Sequence, residues 1–210
     1  MLDRVRPAVG ELFPDVRSYV ADVNQYWSRI SDFLKLERAQ HFQEPGDPSW
    51  EMFTSGDWEG SLRIQQRNRH LVAAEFAEDA RHGFGSRRVR VVEFPITPYL
   101  QWELHALLVR AEYGEQIRVV TAETLAPHES SDPAPELIFL GELAMYEVRY
   151  DGSGALCGGR KFTDPDLLSG CRAEVEVLYR QGEDLAGFFT REIAPLPPPG
   201  VETSSDHAAG

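Results

Sequence analysis

The chain has 210 residues, 42% of them hydrophobic and 26% charged, and its formal net charge is −13. This composition is typical of one globular domain, and the negative charge disfavours binding to the equally negative backbone of nucleic acids. Neither a stretch of 18 apolar residues nor an apolar run near Met1 occurs, so a membrane span and a secretion signal are disfavoured and a cytoplasmic location is expected.

The first predicted helix runs from Asp15 to Phe33, where apolar residues recur every three or four positions. Two prolines and a glycine within 44–48 then exclude regular structure. We therefore expect an N-terminal helical extension over residues 1–44 and a single α/β core domain over residues 45–194. The apolar face of the first helix would be exposed to solvent if the helix stood alone, so we expect another element to pack against it. A homodimer is one way to bury this face.

A βαβ unit is the clearest pattern in the core. A second helix is expected over residues 57–81, followed by a β-branched strand at 89–94. Thr97 and the proline after it predict the start of another helix, which should end at a glycine before a strand at 117–120. Strand, helix and strand at this spacing predict two parallel strands.

Three short runs at 137–140, 143–150 and 155–162 are separated by turn residues, so they predict an antiparallel meander. Asp164 precedes a proline and predicts the start of a last long helix. Residues 195–210 are proline-rich and polar and are predicted to form a disordered acidic tail. The expected fold class is α/β (α+β), a βαβ unit extended by a meander and flanked by N-terminal and C-terminal helices.

Motifs that would identify a reaction are missing from the sequence. The six histidines lack metal-ligand spacing, and neither a phosphate-binding loop nor a Gly-x-Ser-x-Gly motif occurs. Cys157 and Cys171 are expected to be reduced and structural. We therefore expect no metal ion and no cofactor, and these absences favour binding over catalysis.

Arginines stand inside two predicted strands that are otherwise apolar. Arg88 and Arg90 share one face of the first strand, and Arg118 lies on the second. A buried guanidinium must be paired with a carboxylate, so one interpretation is a structural network of ion pairs. The carboxylates available for it are Glu103, Glu115 and Glu147.

The alternative interpretation is a ligand site. Open α/β sheets bind ligands at the carboxyl ends of their strands, where these arginines would hold a small anionic ligand. Tyr99 and Trp102 begin the connecting helix at that edge and are either pocket walls or ordinary core residues. The candidate ligand-binding residues are Arg88, Arg90, Tyr99, Trp102, Glu103, Arg118 and Glu147.

A polar stretch just before the proline-glycine break is a candidate partner surface. It contains Glu37, Arg38, Gln40 and His41. The alternative is a solvated helix end with no partner. An acidic surface elsewhere on the protein would steer a basic partner toward it.

Several blocks of the sequence resemble an uncharacterised domain-of-unknown-function family common in actinomycete bacteria. The blocks lie at 33–50, 88–103, 114–118 and 150–165, and the similarity extends over about residues 33–193. The resemblance implies no activity, but it implies a context near helix-turn-helix regulators, one of which would be the partner. The element order is also similar to half of a phospholipase-D-like fold, whose His-x-Lys motif this sequence lacks.

We therefore expect a regulatory or adaptor domain that acts through protein contacts, with a small anionic ligand at the arginine-bearing sheet edge. The competing hypothesis is an enzyme of specialised metabolism. In that enzyme Glu103 or Glu147 would be a general acid or base, and Arg90 or Arg118 would bind the substrate.

Overall fold

The computed structural model describes residues 1–130 and 132–200, and an eight-stranded mixed sheet forms their centre. The strands are β1 (Glu11–Phe13), β2 (Asp32–Glu37), β3 (Gly85–Val92), β4 (Gln116–Thr121), β5 (Leu137–Leu140), β6 (Ala144–Tyr150), β7 (Leu156–Phe162) and β8 (Glu183–Asp184). Their order across the sheet is β1-β7-β6-β5-β2-β3-β4-β8. The predicted mixed α/β class is confirmed.

Helices cover both faces of this sheet. They are α1 (Val16–Asn24), α2 (Pro48–Thr54), α3 (Trp58–Arg81), α4 (Pro98–Tyr113), α5 (Ala122–Leu125), α6 (Pro165–Gln181) and α7 (Leu185–Phe188), with a π-helical turn at Phe189–Ile193. The core against α6 includes Leu34 and Val89, and the core against α4 includes Val92 and Ile117. We call these two sides the α6 face and the α4 face. No helix in the described part of the chain is long and apolar enough to cross a membrane.

The predicted βαβ unit is confirmed. β3 and β4 pair in parallel, and α4 connects them. The Thr97 hydroxyl caps α4 by accepting a hydrogen bond from the Leu100 backbone N–H at 3.1 Å. Gly114 ends the helix with φ 136°, a conformation that a residue with a Cβ rarely adopts.

The predicted helix from Asp15 to Phe33 is wrong in its second half. α1 ends at Asn24, and a short 3-10 turn leads into β2, which is parallel to β3 and antiparallel to β5. Trp27 and Phe33 do pack together, with ring centroids 5.4 Å apart, but across a turn rather than along a helix. The helix-like spacing of Trp27 and Phe33 in the sequence therefore reflects their packing across a turn and not a helix.

Residues 1–44 contribute two strands as well as a helix, so the expected helical extension is corrected. β1 and β2 belong to the same sheet as the strands within 45–194. α1 packs on that sheet, where the Tyr19 ring lies 5.7 Å from the Tyr146 ring. The cover expected for this helix is thus supplied by the protein's own sheet.

The predicted meander is confirmed, since β5, β6 and β7 pair in antiparallel order. A glycine pair in β7 then lets the N-terminal segment approach closely. A Cβ at Gly158 would collide with the Phe13 carbonyl oxygen, and one at Gly159 would lie 2.5 Å from the Tyr19 ring. These glycines therefore make room for β1 and α1.

The last long helix begins as predicted, because the Asp164 carboxylate caps α6 by accepting from the Leu167 N–H at 2.8 Å. Past the last helical turn, the Pro197 carbonyl accepts a hydrogen bond from the Gln101 side chain at 2.9 Å. The predicted disordered tail, residues 195–210, lies outside the described residues from position 201 onward.

Candidate functional site

A cluster of charges lies on the α4 face at the centre of the sheet. Glu37 on β2 stands in register with Arg90 on β3, two positions along the strand from Arg88. Glu37 is only 3% exposed and Arg90 is fully buried. Charges buried this deeply are tolerated only when they are paired and hydrogen-bonded.

Arg88 is fully paired within this cluster. It donates to the Glu115 carboxylate at 2.7 Å and to Glu37 at 2.5 Å, while Lys35 approaches Glu37 to 2.5 Å. Arg110 donates to the second Glu115 oxygen at 2.5 Å. Burial alone would raise the pKa of Glu37, but Arg88 and Lys35 together hold it well below its usual value.

Arg90 lies deeper and is paired with Glu103. Its Nε donates to the Glu103 carboxylate at 2.7 Å, and its Nη1 donates to the Val91 carbonyl at 2.8 Å. Its Nη2 has no hydrogen-bond partner among the described residues, and its guanidinium lies 5.9 Å from the Phe42 ring centroid. Burial raises the pKa of Glu103, an effect that Arg90 opposes and Glu37 reinforces.

Aromatic side chains close this cluster from solvent. Their buried members are Phe42, Trp50, Phe53, Tyr99 and Trp102. The Tyr99 hydroxyl lies within hydrogen-bonding distance of Glu44, at 3.0 Å, and of Glu103, at 3.3 Å. The Trp102 indole N–H lies 3.0 Å from the Ser49 hydroxyl. Tyr99 and Trp102 are therefore core residues, and Arg88 and Arg90 have the geometry of a structural ion-pair network.

The structure separates two predicted site residues from this cluster. Arg118 lies on the α6 face, with its guanidinium 5.8 Å from the Tyr179 ring centroid. Glu147 lies on β6 and pairs with Arg160 at 2.8 Å. The other five, Arg88, Arg90, Tyr99, Trp102 and Glu103, lie together.

The four residues expected to form a partner surface are mostly engaged inside the protein. The segment consists of the end of β2 and the loop after it, and it is not the end of a helix. Glu37 is buried because it lies in β2. Arg38 donates to Glu93 at 2.6 Å, and the Gln40 side chain accepts from the Glu93 N–H at 2.8 Å. His41 alone of the four is exposed.

A cavity of about 420 Å³ opens at the carboxyl edge of the parallel strands, and we call it the carboxyl-edge crevice. It forms because β5 begins at Leu137, whereas its neighbours β2 and β6 extend farther at this edge. Its lining includes Arg6, Arg38, Ala39, Glu93, Ala134, Glu136, Glu147, Arg149 and Tyr150.

Glu136 fills the gap left by the short β5. Its carboxylate accepts hydrogen bonds from the backbone N–H groups of Arg38, at 3.0 Å, and Ala39, at 2.6 Å. The residue is 9% exposed, and burial raises its pKa to about 7, with the charge of Glu37 adding to the shift. Sequence reasoning missed Glu136, because a single glutamate before a strand belongs to no motif.

The connections that leave this edge run to opposite faces of the sheet. The chain after β2 leads to α2, where Trp50 packs against Trp102 of α4 with ring centroids 5.1 Å apart. The chain after β4 leads to α5, whose Leu125 lies in the core against α6. β3 lies between β2 and β4 in the sheet, and its connection α4 packs on the same face as α2, so the change of face falls between β3 and β4.

A second cavity, about 710 Å³, lies at the opposite edge, and we call it the amino-edge groove. The rings of Trp27, Phe33 and Phe84 form its wall, with the Trp27 centroid 5.4 Å from Phe33 and 5.8 Å from Phe84. Trp27 is 40% exposed. Sequence reasoning missed this groove because its residues come from distant segments.

The groove also contains an uncompensated carboxylate. Glu75 on α3 is paired with Arg110 at 3.0 Å. Asp79, one turn later, has no cationic nitrogen within 4 Å anywhere in residues 1–130 and 132–200. Burial raises the pKa of Asp79 and the charge of Glu75 adds to this shift, while Arg110 and His82, which also line the groove, oppose it. The groove therefore offers a carboxylate that forms no ion pair within 4 Å among the described residues, together with three aromatic rings.

Metal ligands are not gathered in either described segment: no three His, Cys, Asp or Glu side chains are placed to hold an ion. Cys157 and Cys171 are free thiols, and burial raises the pKa of Cys171 to about 11.

A known family model matches most of the chain. The family model for a domain of unknown function, DUF6879, matches residues 21–190, from within α1 to the π-helical turn. No curated protein and no solved structure is significantly similar to the chain. The resemblance to an uncharacterised family is therefore confirmed, and the chain belongs to the DUF6879 family.

Proposed function

We propose that this protein is a regulatory or adaptor domain that acts through protein contacts and holds a basic segment of its partner in the amino-edge groove. The observation that carries the proposal is the Asp79 carboxylate, which lines the groove with three aromatic rings and forms no ion pair within 4 Å among the described residues. A lysine or arginine side chain would neutralise Asp79 and lie against the face of Trp27.

The charge of the whole chain supports the same partner chemistry. A net charge of −13 attracts basic surfaces and accelerates their association at low ionic strength. A helix-turn-helix regulator fits this requirement, because its DNA-binding surface is basic. Such a regulator is the partner that we propose.

An enzyme based on Glu103 has less support from the geometry. Glu103 is 7% exposed and accepts from Arg90 while the Tyr99 hydroxyl lies within hydrogen-bonding distance. A general acid or base must reach the proton that it transfers, and these partners already occupy the carboxylate.

The proposal is tested with a labelled nine-residue peptide of alternating arginine and serine, whose binding is followed by fluorescence anisotropy. We expect the wild-type protein to bind it and Asp79→Asn to bind about tenfold more weakly, the effect of losing one charge-assisted contact. Glu59→Gln, an exposed acid on the same helix α3, is the matched control and should leave the affinity unchanged.

Trp27→Ala separates groove binding from general attraction to an acidic protein. This variant keeps the net charge, so a loss of affinity shows that the rings take part. Equal affinities of wild type, Asp79→Asn and Trp27→Ala would contradict the proposal, as would equal binding of a peptide with glutamate in place of arginine.

A further inference from the structure

We infer that the carboxyl-edge crevice is a second binding site and that it takes a small zwitterion of the α-amino-acid class. The crevice is distinct from the amino-edge groove, with no lining residue in common. The inference therefore does not depend on the proposed protein partner.

The first argument is the position of the crevice. It lies outside the carboxyl ends of β2 and β3, between the loop that begins at Arg38 and the segment that ends at Glu136. Both segments line the space between them, with Arg38 and Ala39 from the first and Ala134 and Glu136 from the second. Its volume of about 420 Å³ is within the range of small-molecule pockets.

The second argument is an arginine without a partner. Arg149 lines the crevice from β6 and is exposed, and its guanidinium makes no hydrogen bond or ion pair with any part of the chain that the structure describes. A guanidinium is suited to bind a carboxylate through two parallel hydrogen bonds. Arg149 is thus placed to hold the anionic end of a ligand.

The third argument is a carboxylate without a cation. Glu136 accepts only backbone N–H bonds, and no cationic side chain lies within 4 Å of it across the described residues. An ammonium group of a ligand would supply the missing charge. Tyr150 also lines the crevice, and its hydroxyl has no hydrogen-bond partner within the described segments.

The remaining charges of the crevice are already compensated. The pairs are Arg6 with Asp132, Arg38 with Glu93 and Glu129, and Glu147 with Arg160. Within the described lining of the crevice, one charge of each sign is therefore left uncompensated, Arg149 and Glu136. A purely anionic ligand would leave Glu136 unsatisfied, whereas a zwitterion satisfies both.

The test is a calorimetric titration of the full chain at pH 8 with each of the twenty proteinogenic amino acids. At least one should bind, and Arg149→Ala should weaken that binding about tenfold. Arg180→Ala removes another exposed arginine without a described partner, near the end of α6, and should leave binding unchanged.

Two simpler probes identify the chemistry of the ligand. Acetate carries only the anionic group and ethylammonium only the cationic group, so each should bind more weakly than the amino acid. Acetate binding as tightly as the amino acid would overturn the zwitterion class. Absence of binding by all twenty amino acids up to about 10 mM, or equal binding by Arg149→Ala, would overturn the site.

Discussion

The charge cluster on the α4 face and the amino-edge groove contain the same kinds of side chain but differ in charge balance. In the cluster, Glu103 lies beside Tyr99 and is paired with Arg90. In the groove, Asp79 lines the same cavity as Trp27 and has no cation within 4 Å in the described structure. An acid beside an aromatic ring is therefore no guide to function by itself. We propose that the internal ion pair separates the structural role of Glu103 from the proposed binding role of Asp79.

The largest expected effect is on the cluster. Arg90→Met would leave Glu103 buried and unpaired, so it should lower the free energy of unfolding by about 3–5 kcal/mol. Urea denaturation measures this loss. The double variant Arg90→Met with Glu103→Leu removes both charges and should recover much of the stability. A loss below about 1 kcal/mol in the single variant would show that the Arg90–Glu103 pair does not stabilise the fold, and the cluster would then not differ from the groove in this respect.

Glu136 provides an intermediate case, a buried acid held only by backbone N–H groups. Its pKa is about 7 in the folded protein against an ordinary value of 4.5, so the folded state binds more protons between these values. Its contribution to stability is therefore full below pH 4.5 and is lost as the pH rises through 7, a change on the order of 3 kcal/mol.

Urea denaturation at several pH values from 4.5 to 8 checks the role of Glu136. The wild-type protein should lose stability across this interval, and Glu136→Gln should lose less because it cannot titrate. Glu59→Gln should follow the wild type, since Glu59 is exposed. Parallel curves for wild type and Glu136→Gln would show that Glu136 has an ordinary pKa.

The groove should tolerate substitution better than the cluster. Trp27→Ala is expected to cost about 1 kcal/mol, because the Trp27 side chain is 40% exposed. Thermal unfolding measures the change. A cost as large as that of Arg90→Met would assign Trp27 to the core and weaken its proposed role in binding.

The smallest effect is expected for Asp79→Asn. Burial and Glu75 disfavour the ionised carboxylate in the folded state, and Arg110 and His82 partly offset them, so the substitution should change stability by less than about 0.5 kcal/mol, toward greater stability. Chemical denaturation at pH 7 checks this sign. Clear destabilisation by Asp79→Asn would indicate that Asp79 has a structural partner after all.

The local parts of the fold could be predicted from the sequence. Thr97 and Gly114 define the ends of α4, and Asp164 caps α6, because capping depends on residues close in the chain. β2 could not be predicted in this way. Trp27 and Phe33 have helical spacing in sequence, but they pack across a turn, and only the tertiary structure distinguishes the two arrangements.

The charge cluster could be predicted from the sequence, but the two cavities could not, because they also depend on contacts between distant residues. Charges inside an apolar strand indicated the pairing of Arg88 and Arg90 with Glu103 and Glu115, since buried guanidinium groups need carboxylates. Asp79 and Glu136 differ from these residues because neither forms an ion pair within 4 Å among the described residues. A missing neighbour leaves no pattern in a sequence, so these two residues are found only in three dimensions.

The central position of β2 has a consequence for folding. Leu36 pairs with Val89 on one side and with Leu137 on the other, so the middle of the sheet forms only after two long loops have closed. High contact order of this kind slows folding. A fragment that ended before Leu137 would leave one side of β2 as an open edge, where strands of other chains can add and aggregation begins.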